Sequence, residues 1–193
     1  MIVATRNAHK STEIRALLGD RFEVLDATHF PDLPAIEETG NTFLENATLK
    51  AEGISRHVGG WVLADDSGLE VDALEGAPGV WSSSFGGEEG NHVMNNARLI
   101  QEMTGKSARR ARFRCTMVLA RNGIAQAHFS GAVDGSITDS LRGAGGFGYD
   151  PLFIPEGYDQ TFGQLDATVK NQLSHRARAL QQAVSWLENH PQK

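Results

Sequence analysis

Residues 111–133, ARFRCTMVLARNGIAQAHFSGAV, carry the clearest signal of the fold. They consist of two largely apolar runs around Asn122–Gly123, and this dipeptide is the strongest short-range signal of a two-residue hairpin turn. The stretch therefore predicts two long antiparallel strands. A second tight turn is predicted directly after them, at Asp134–Gly135.

Outside this hairpin, apolar periodicity and capping signals predict strands that alternate with helices. The predicted strands are 2–5, 22–25 and 61–64. The predicted helices are 8–18, one that starts at the capping box Thr42–Glu45, 91–103, and 174–188 with the stripe Leu173, Ala177, Leu180, Val184 and Leu187. The combination predicts an α/β protein with a mixed sheet and flanking helices.

Composition limits the class of protein. The chain has 193 residues, 40% hydrophobic and 22% charged, which predicts one globular domain over 1–193 that has room for two lobes. No apolar run reaches the ~18 residues of a membrane span, and the start MIVATRNAHK lacks the layout of a signal peptide. The one cysteine, Cys115, is predicted to be a buried, inert thiol in the reducing cytosol.

The net charge of −6 disfavours a general nucleic-acid binder, which would usually be basic. One basic cluster leads into the hairpin, and it is predicted to be a solvated loop and strand edge. Its members are Lys106, Arg109, Arg110, Arg112 and Arg114.

A first candidate site is the segment Thr5–Lys10, between a predicted strand and a predicted helix. Asn7 is a suitable N-cap, and the first turn of a helix offers amides and the positive end of the helix dipole to a phosphate. Thr5 adds a hydroxyl and Lys10 a charge. The segment lacks the Walker pattern, so on its own an ordinary capped helix explains it better.

A second candidate is a set of carboxylates that could serve magnesium, which prefers oxygen ligands. Its members are Glu37, Glu38, Glu45, Asp65 and Asp66. Asp65 and Asp66 follow a predicted strand, where open α/β sheets bind ligands. Because neighbouring strand residues face opposite ways, only one of the two faces the site unless the chain turns there. A polar turn is the alternative, and Glu45 already serves the capping box.

Two further candidates lie near the C-terminus. In Gly145–Pro151 (GGFGYDP), glycines let the backbone approach a flat ligand, Phe147 could stack on a base and Asp150 could contact its edge. A glycine-rich turn with core aromatics is the even alternative. The second is Lys170 with Ser174–Arg176, which places cations in a first helical turn against the dipole. Because these cations destabilise the start of the helix, their presence indicates a functional role. A solvated first turn is the alternative.

Together these segments resemble the inosine triphosphate pyrophosphatase family of house-cleaning enzymes. Each match is weak alone, but five in register along nearly the whole chain are specific. They are ATRNAHKSTEI (4–14), EETGNTFLENATLKA (37–51), ADDSGLEVDALEGAPGV (64–80), GGFGYDPLF (145–153) and SHRARAL (174–180).

The resemblance implies hydrolysis of non-canonical purine nucleoside triphosphates (ITP, dITP, XTP) to the monophosphate and pyrophosphate, by a cytoplasmic, Mg²⁺-dependent homodimer. It also implies an elongated mixed sheet whose two lobes surround a central nucleotide cleft. By the same resemblance, Glu38 and Asp66 would organise the metal, with Asp66 also the base that activates water. The implied substrate contacts are Thr5, Arg6, Asn7, Ala8, His9 and Lys10 for the phosphates, Ser67, and Phe147, Gly148, Tyr149, Asp150, Lys170, His175 and Arg176 for the base.

The chain departs from the family pattern at two positions. Arg6 stands where many members carry glycine. Ser84, in Trp81–Phe85, stands where the family carries a basic residue, which leaves the phosphate contacts of that loop open. Arg6 could compensate, and restoring arginine at position 84 would then lower KM.

Three other functions are compatible with parts of the pattern. A pyrophosphatase for other modified nucleotides would hydrolyse nucleotides with a different set of bases in a turnover assay. A nucleotide-binding regulator would bind ITP without turnover, although Asp65–Asp66 argues against it. A nucleic-acid binder would show a steep salt dependence.

Overall fold

The Asn122–Gly123 turn joins the two longest strands in this computed structural model, which describes residues 1–19 and 22–190. These strands are β4 (Arg110–Arg121) and β5 (Ile124–Ile137). Both turn residues have positive φ, 53° and 77°, as a type I′ hairpin turn requires. The predicted hairpin is confirmed.

The predicted turn at Asp134–Gly135 is wrong, because β5 runs through both residues to Ile137. Gly135 pairs with Pro155 of β6 (Phe153–Pro155). A side chain at position 135 would fall on the carbonyl oxygen of Ile154. This glycine therefore permits a close approach of two strands and does not reverse the chain.

The other strands are β1 (Ile2–Val3), β2 (Leu25–Asp26) and β3 (Val62–Val71). The six strands form a sheet in the order β2-β1-β3-β4-β5-β6. β1 is parallel to both of its neighbours, whereas β6 is antiparallel to β5. The α/β class with a mixed sheet is therefore confirmed, although the predicted strand 22–25 contributes only Leu25 to β2.

The helices are α1 (Ala8–Leu18), α2 (Phe43–Ser55), α3 (His92–Glu102), α4 (Ala167–Leu173) and α5 (His175–Asn189). α1 has its predicted bounds, and the capping box of α2 is present in both directions. α4 was not predicted, since its sequence ATVKNQL carries no apolar stripe. Leu173, assigned to the last helix, is the final residue of α4.

Unit 1 of the chain comprises Met1–Asp66, Cys115–Gly131 and Arg176–Lys193. Its core has two parts, because side chains along a strand alternate between the faces of the sheet. Leu63 packs in a cluster with residues of α1 and α5, and Ala64 packs in a cluster with residues of α2. α1 and α5 therefore cover one face of this part of the sheet, and α2 covers the other.

Unit 2 comprises Ser67–Arg114 and Ala132–His175. Its core joins residues of β3 and α3 to an aromatic group in which the rings of Phe113 and Phe153 lie 4.7 Å apart. The single-domain prediction covers 1–193, including residues 20–21 and 191–193, which lie outside the described ranges. It stays a prediction, as does the central cleft.

On the surface of unit 2, arginines of the basic cluster lie beside carboxylates. Arg110 and Arg112 lie in β4, which has a strand on each side, and they pair with the carboxylates of Asp72 and Asp134. The strand part of the cluster is thus a surface faced by carboxylates and not a sheet edge, whereas Lys106 and Arg109 precede β4 in a loop, as predicted. No helix among the described residues is long and apolar enough to cross a membrane.

Cys115 is fully buried, and burial raises the pKa of its thiol to about 12. The predicted burial of Cys115 is confirmed, and its low reactivity, which follows from a protonated thiol, stays a prediction.

Candidate active site

The segment Thr5–Lys10 connects β1 to α1, as predicted. The Oδ1 of Asn7 accepts hydrogen bonds from the N–H groups of His9 and Lys10, at 3.0 and 3.2 Å. The Oγ1 of Thr5 accepts one from the N–H of Asn7 at 3.1 Å. The N–H groups of Asn7, His9 and Lys10 are thus used within the segment, and the ammonium of Lys10 is the charged group that the start of α1 offers to an anion.

The sequence predicted that this strand ends at Asp65, which is wrong. β3 continues for six residues beyond Asp65, to Val71. Asp65 and Asp66 therefore lie within an extended strand and face opposite sides of the sheet. Asp65 points to the α1 and α5 face, where it meets Lys10 and Arg176. Asp66 points to the α2 face, where it meets Asn46 and Lys50.

Asp65 is the centre of a buried chain of charges. Its Oδ2 lies 3.1 Å from the Nζ of Lys10 and 3.3 Å from a guanidinium nitrogen of Arg176, which also pairs with Glu13. Burial by itself would raise the pKa of Asp65, but the two cations outweigh it and hold that pKa well below its usual range. Asp65 therefore anchors Lys10 as a permanent carboxylate.

Asp66 belongs to a different arrangement. Its Oδ2 accepts a hydrogen bond from Asn46 at 3.2 Å, and its Oδ1 lies 3.6 Å from the Nζ of Lys50. Lys50 also donates to Glu38 at 2.7 Å. Burial raises the pKa of Asp66, and the lysine charges offset only part of that rise. The two predicted metal ligands, Glu38 and Asp66, thus converge on one cation.

Lys50 and Asn46 were not predicted, although both lie within the matching stretch 37–51. The available signal was their spacing: four residues apart, they occupy one face of α2 in successive turns. Asn46 is buried and Lys50 is half-buried, and both are paired with a carboxylate because β3 lies beside this face of α2. The sequence of α2 does not show that β3 lies there. Burial by itself would lower the pKa of Lys50. The carboxylates of Asp66, Glu38 and Asp65 outweigh burial and raise this pKa above its usual value.

The glycine-rich segment 143–151 belongs to unit 2, and it brings Phe147 and Asp150 to Lys170. The Nζ of Lys170, a residue only 5% exposed, donates to the Oδ2 of Asp150 at 2.6 Å and lies 4.8 Å from the centre of the Phe147 ring. Asp150 also accepts a hydrogen bond from the N–H of Phe147 at 2.7 Å. A side chain at Gly146 would fall on the Asp150 carboxylate, so this turn requires glycine.

The neighbouring predicted residues are held by the core of unit 2. The hydroxyl of Tyr149 donates to the carbonyl of Ser82 at 2.8 Å, and Asn96 donates to the carbonyl of Gly148 at 2.9 Å. Tyr149 is buried, and this burial raises its pKa above the usual range. Ser67 is half-buried in β3.

His175 and Arg176 begin α5, as predicted, but neither lies in a solvated turn. His175 is buried, and its ring stacks on Phe113 at 4.9 Å. Arg176 is 1% exposed, and its guanidinium joins the Asp65 group of unit 1, whereas Lys170 and His175 lie in unit 2.

The two departures from the family pattern have different surroundings. The guanidinium of Arg6 donates to the carbonyl of Leu33 at 2.7 Å, so it is attached to the loop that leads to Glu38. The backbone N–H of Ser84 donates to the carbonyl of Trp81 in a tight turn. The structure therefore gives Arg6 a role in holding a loop, and compensation for Ser84 stays a hypothesis.

The chain is similar in sequence to known proteins over nearly its whole length. The model of the Ham1 family matches residues 1–186. The dITP/XTP pyrophosphatase of Halalkalibacterium halodurans is 45% identical over 190 residues, which are 97% of this chain and 98% of that protein. The dITP/XTP pyrophosphatase of Geobacter sulfurreducens is 48% identical over 183 residues, 93% of this chain and 92% of that protein.

Solved structures give the same result. The Ham1 protein of Staphylococcus aureus superposes with a TM-score of 0.87 at 35% identity, over 98% of each chain. A HAM1 protein of Coxiella burnetii superposes with a TM-score of 0.88 at 36% identity, over 97% of this chain and 98% of that one. Since sequence and structure match over nearly their whole length, the chain belongs to the Ham1 family.

Proposed function

We propose that this chain hydrolyses ITP, dITP and XTP to the nucleoside monophosphate and pyrophosphate, and so removes them from the nucleotide pool. It is a nucleoside-triphosphate pyrophosphatase, a hydrolase, as the names of its relatives state. The observation that supports the finer proposal most is the convergence of Glu38 and Asp66 on one ammonium group, that of Lys50.

The donor chemistry of this pair fits magnesium. Mg²⁺ takes one or two carboxylates and completes its shell with water and substrate phosphates. The described residues contain no group of three or more Asp, Glu, His or Cys side chains that could hold a metal ion. Glu38 and Asp66 would be the protein's two ligands. When bound there, Mg²⁺ would neutralise charge on the phosphate oxygens.

The chain's own cations serve the triphosphate. Lys10 lies in the first turn of α1, held by Asp65, and Lys50 lies between Glu38 and Asp66. Positive groups that are fixed before the reaction stabilise the charge that develops when the bond between the α-phosphorus and the bridging oxygen breaks. The oxygen of water bonds to the α-phosphorus, and pyrophosphate leaves.

Asp66 is the group that takes the proton of the attacking water. Its burial, which raises its pKa, makes it a better base than an exposed aspartate. Asn46 holds its Oδ2 on the α2 side of β3. Replacement by asparagine keeps the shape and removes the base.

The group in unit 2 provides the contacts for the base. Hypoxanthine and xanthine carry a 6-keto acceptor, and adenine carries a 6-amino donor. The ammonium of Lys170 is positioned by Asp150 beside the Phe147 ring, so it can donate to a keto oxygen while the ring stacks. Sites that depend on hydrogen bonds discriminate by factors of about 10⁴. Lys170→Gln should therefore reduce the preference for dITP over dATP.

A cytosolic homodimer is part of the same proposal. In the first turn of α3, Val93 is 79% exposed and Met94 is 42% exposed. An interface that covers this turn would remove these apolar side chains from water. Val93→Glu should shift the mass measured by light scattering from that of a dimer to that of a monomer, and an unchanged mass would place the interface elsewhere.

The deciding experiment measures pyrophosphate and orthophosphate release from ITP, dITP, XTP, dATP, dGTP and dTTP, with Mg²⁺ and with EDTA. Mg²⁺-dependent pyrophosphate release from the first three is expected. Asp66→Asn should lower kcat by about 10²- to 10⁴-fold, the usual contribution of a general base. Asp134→Asn, at a partly exposed aspartate on β5, is the matched control. Orthophosphate release, or turnover indifferent to the base, would contradict the substrate assignment.

A further inference from the structure

Asn46 has a side chain whose two ends connect different elements. It is 3% exposed, its Oδ1 accepts a hydrogen bond from the N–H of Gly40 at 2.8 Å, and its Nδ2 donates to the Oδ2 of Asp66 at 3.2 Å. The amide orientation follows from its partners, because the Gly40 N–H can only donate and a carboxylate accepts. Asn46 thus joins the end of loop 31–40 to the central strand β3.

The loop end is fixed tightly to the start of α2. Glu45 accepts hydrogen bonds from the N–H groups of Asn41 and Thr42, at 2.7 and 3.0 Å. A side chain on Gly40 would collide with Glu45 and Asn46, so only glycine allows this approach. Glu38 lies only two residues before Gly40. The hydrogen bond from Gly40 to Asn46 therefore restricts the position of the backbone at Glu38.

Asn46 and Lys50 both connect loop 31–40 to Asp66, but only the connection through Lys50 depends on charge. Lys50 joins Glu38 to the Oδ1 of Asp66 by charge, and a divalent cation on the same carboxylates repels it. Asn46 is neutral and holds the other oxygen, Oδ2. Its two hydrogen bonds do not depend on which cation the carboxylates hold.

We propose that Asn46 is a positioning residue that fixes the Asp66 carboxylate relative to the loop bearing Glu38, so that the pair is pre-arranged for a divalent cation. This inference rests on the proposed function, in which Glu38 and Asp66 bind magnesium. Residues that orient metal ligands through hydrogen bonds typically contribute 10- to 100-fold to metal affinity.

The test measures metal binding without turnover. Free Mn²⁺ is quantified by electron paramagnetic resonance as it is titrated into the full-length protein. Asn46→Ala should raise the Kd for Mn²⁺ by about 10- to 100-fold. The matched control is Asn95→Ala, because Asn95 is another buried helical asparagine, which accepts from the N–H of Gly86 and donates to the carbonyl of Ser83. Its Kd should equal that of the unsubstituted protein.

A second variant covers the case in which Asn46→Ala does not fold. Asn46→Ser carries a hydroxyl, but its side chain is too short to connect Gly40 and Asp66. The Kd of this variant for Mn²⁺ should therefore also rise by about 10- to 100-fold.

The outcomes separate the two levels of the proposal. If the unsubstituted protein binds no Mn²⁺, the metal site of the proposed function fails, and the role of Asn46 with it. If it binds Mn²⁺ and Asn46→Ala binds equally well, or Asn95→Ala loses as much affinity, the positioning role is refuted. Equal Kd values for Mn²⁺ in Asn46→Ser and the unsubstituted protein also refute it.

Discussion

Replacing Asp65 with asparagine tests the buried charge chain of unit 1. The substitution keeps the size of the side chain and removes the charge that faces Lys10 and Arg176, at 3.1 and 3.3 Å. Breaking a buried ion pair costs about 3–5 kcal/mol, because the remaining charge stays desolvated. Arg176 keeps Glu13, and the Lys10 side chain is 16% exposed, so the lower end, about 3 kcal/mol, applies. At about 2–4 °C per kcal/mol for a chain of this length, the melting temperature should fall by about 6–12 °C.

Thermal unfolding followed by circular dichroism measures this change. Asp134→Asn provides a matched control, because Asp134 is also next to two arginines, at 3.9 Å, but its side chain is 44% exposed. Exposed pairs contribute about 0–1 kcal/mol, so the control should melt within a few degrees of the unsubstituted protein. Asp65→Asn should also raise KM for dITP, since Lys10 loses its anchor. Equal melting temperatures for the two variants would show that the Asp65 chain does not stabilise unit 1.

Three further predictions follow from single groups. Cys115, with a pKa of about 12, should react with iodoacetamide at pH 8 only after unfolding, which mass spectrometry can measure. The pKa of Asp26 lies below its usual range because hydrogen bonds, first that of Thr28, outweigh burial. Its stabilisation is therefore present above pH ~4 and lost as the pH falls, and Asp26→Asn should flatten this loss in urea unfolding. Tyr149→Phe should cost about 1–3 kcal/mol in the same assay, since the carbonyl of Ser82 loses its donor.

Local signals were sufficient wherever the chain's own neighbours decide the structure. The Asn122–Gly123 turn, the Asn7 cap and the Thr42–Glu45 box were all predicted, because each depends on a few consecutive residues. The family match rests on the same kind of evidence, since short motifs in a fixed order survive without knowledge of their contacts. Class, family and the identity of most candidate residues were therefore available from the sequence.

Predictions failed where a distant strand decides the outcome. Asp134–Gly135 has the composition of a turn, but pairing with β6 keeps it extended. Asp65–Gly68 also has the composition of a turn, but β3 runs through it to Val71. In both cases hydrogen bonds to a neighbouring strand compensate for a weak local preference, and such pairing cannot be deduced from adjacent residues.

The chemical groups of this protein, and the order in which they occur, could be read from the amino-acid sequence. The tertiary structure alone decided their partners: Asp65 with Lys10 and Arg176, and Asp66 with Asn46 and Lys50. The physical reason is that a strand sends neighbouring side chains to opposite faces, and which helix covers each face is settled by packing among residues far apart in the chain. Two adjacent aspartates with similar local sequence thereby acquire pKa values shifted in opposite directions.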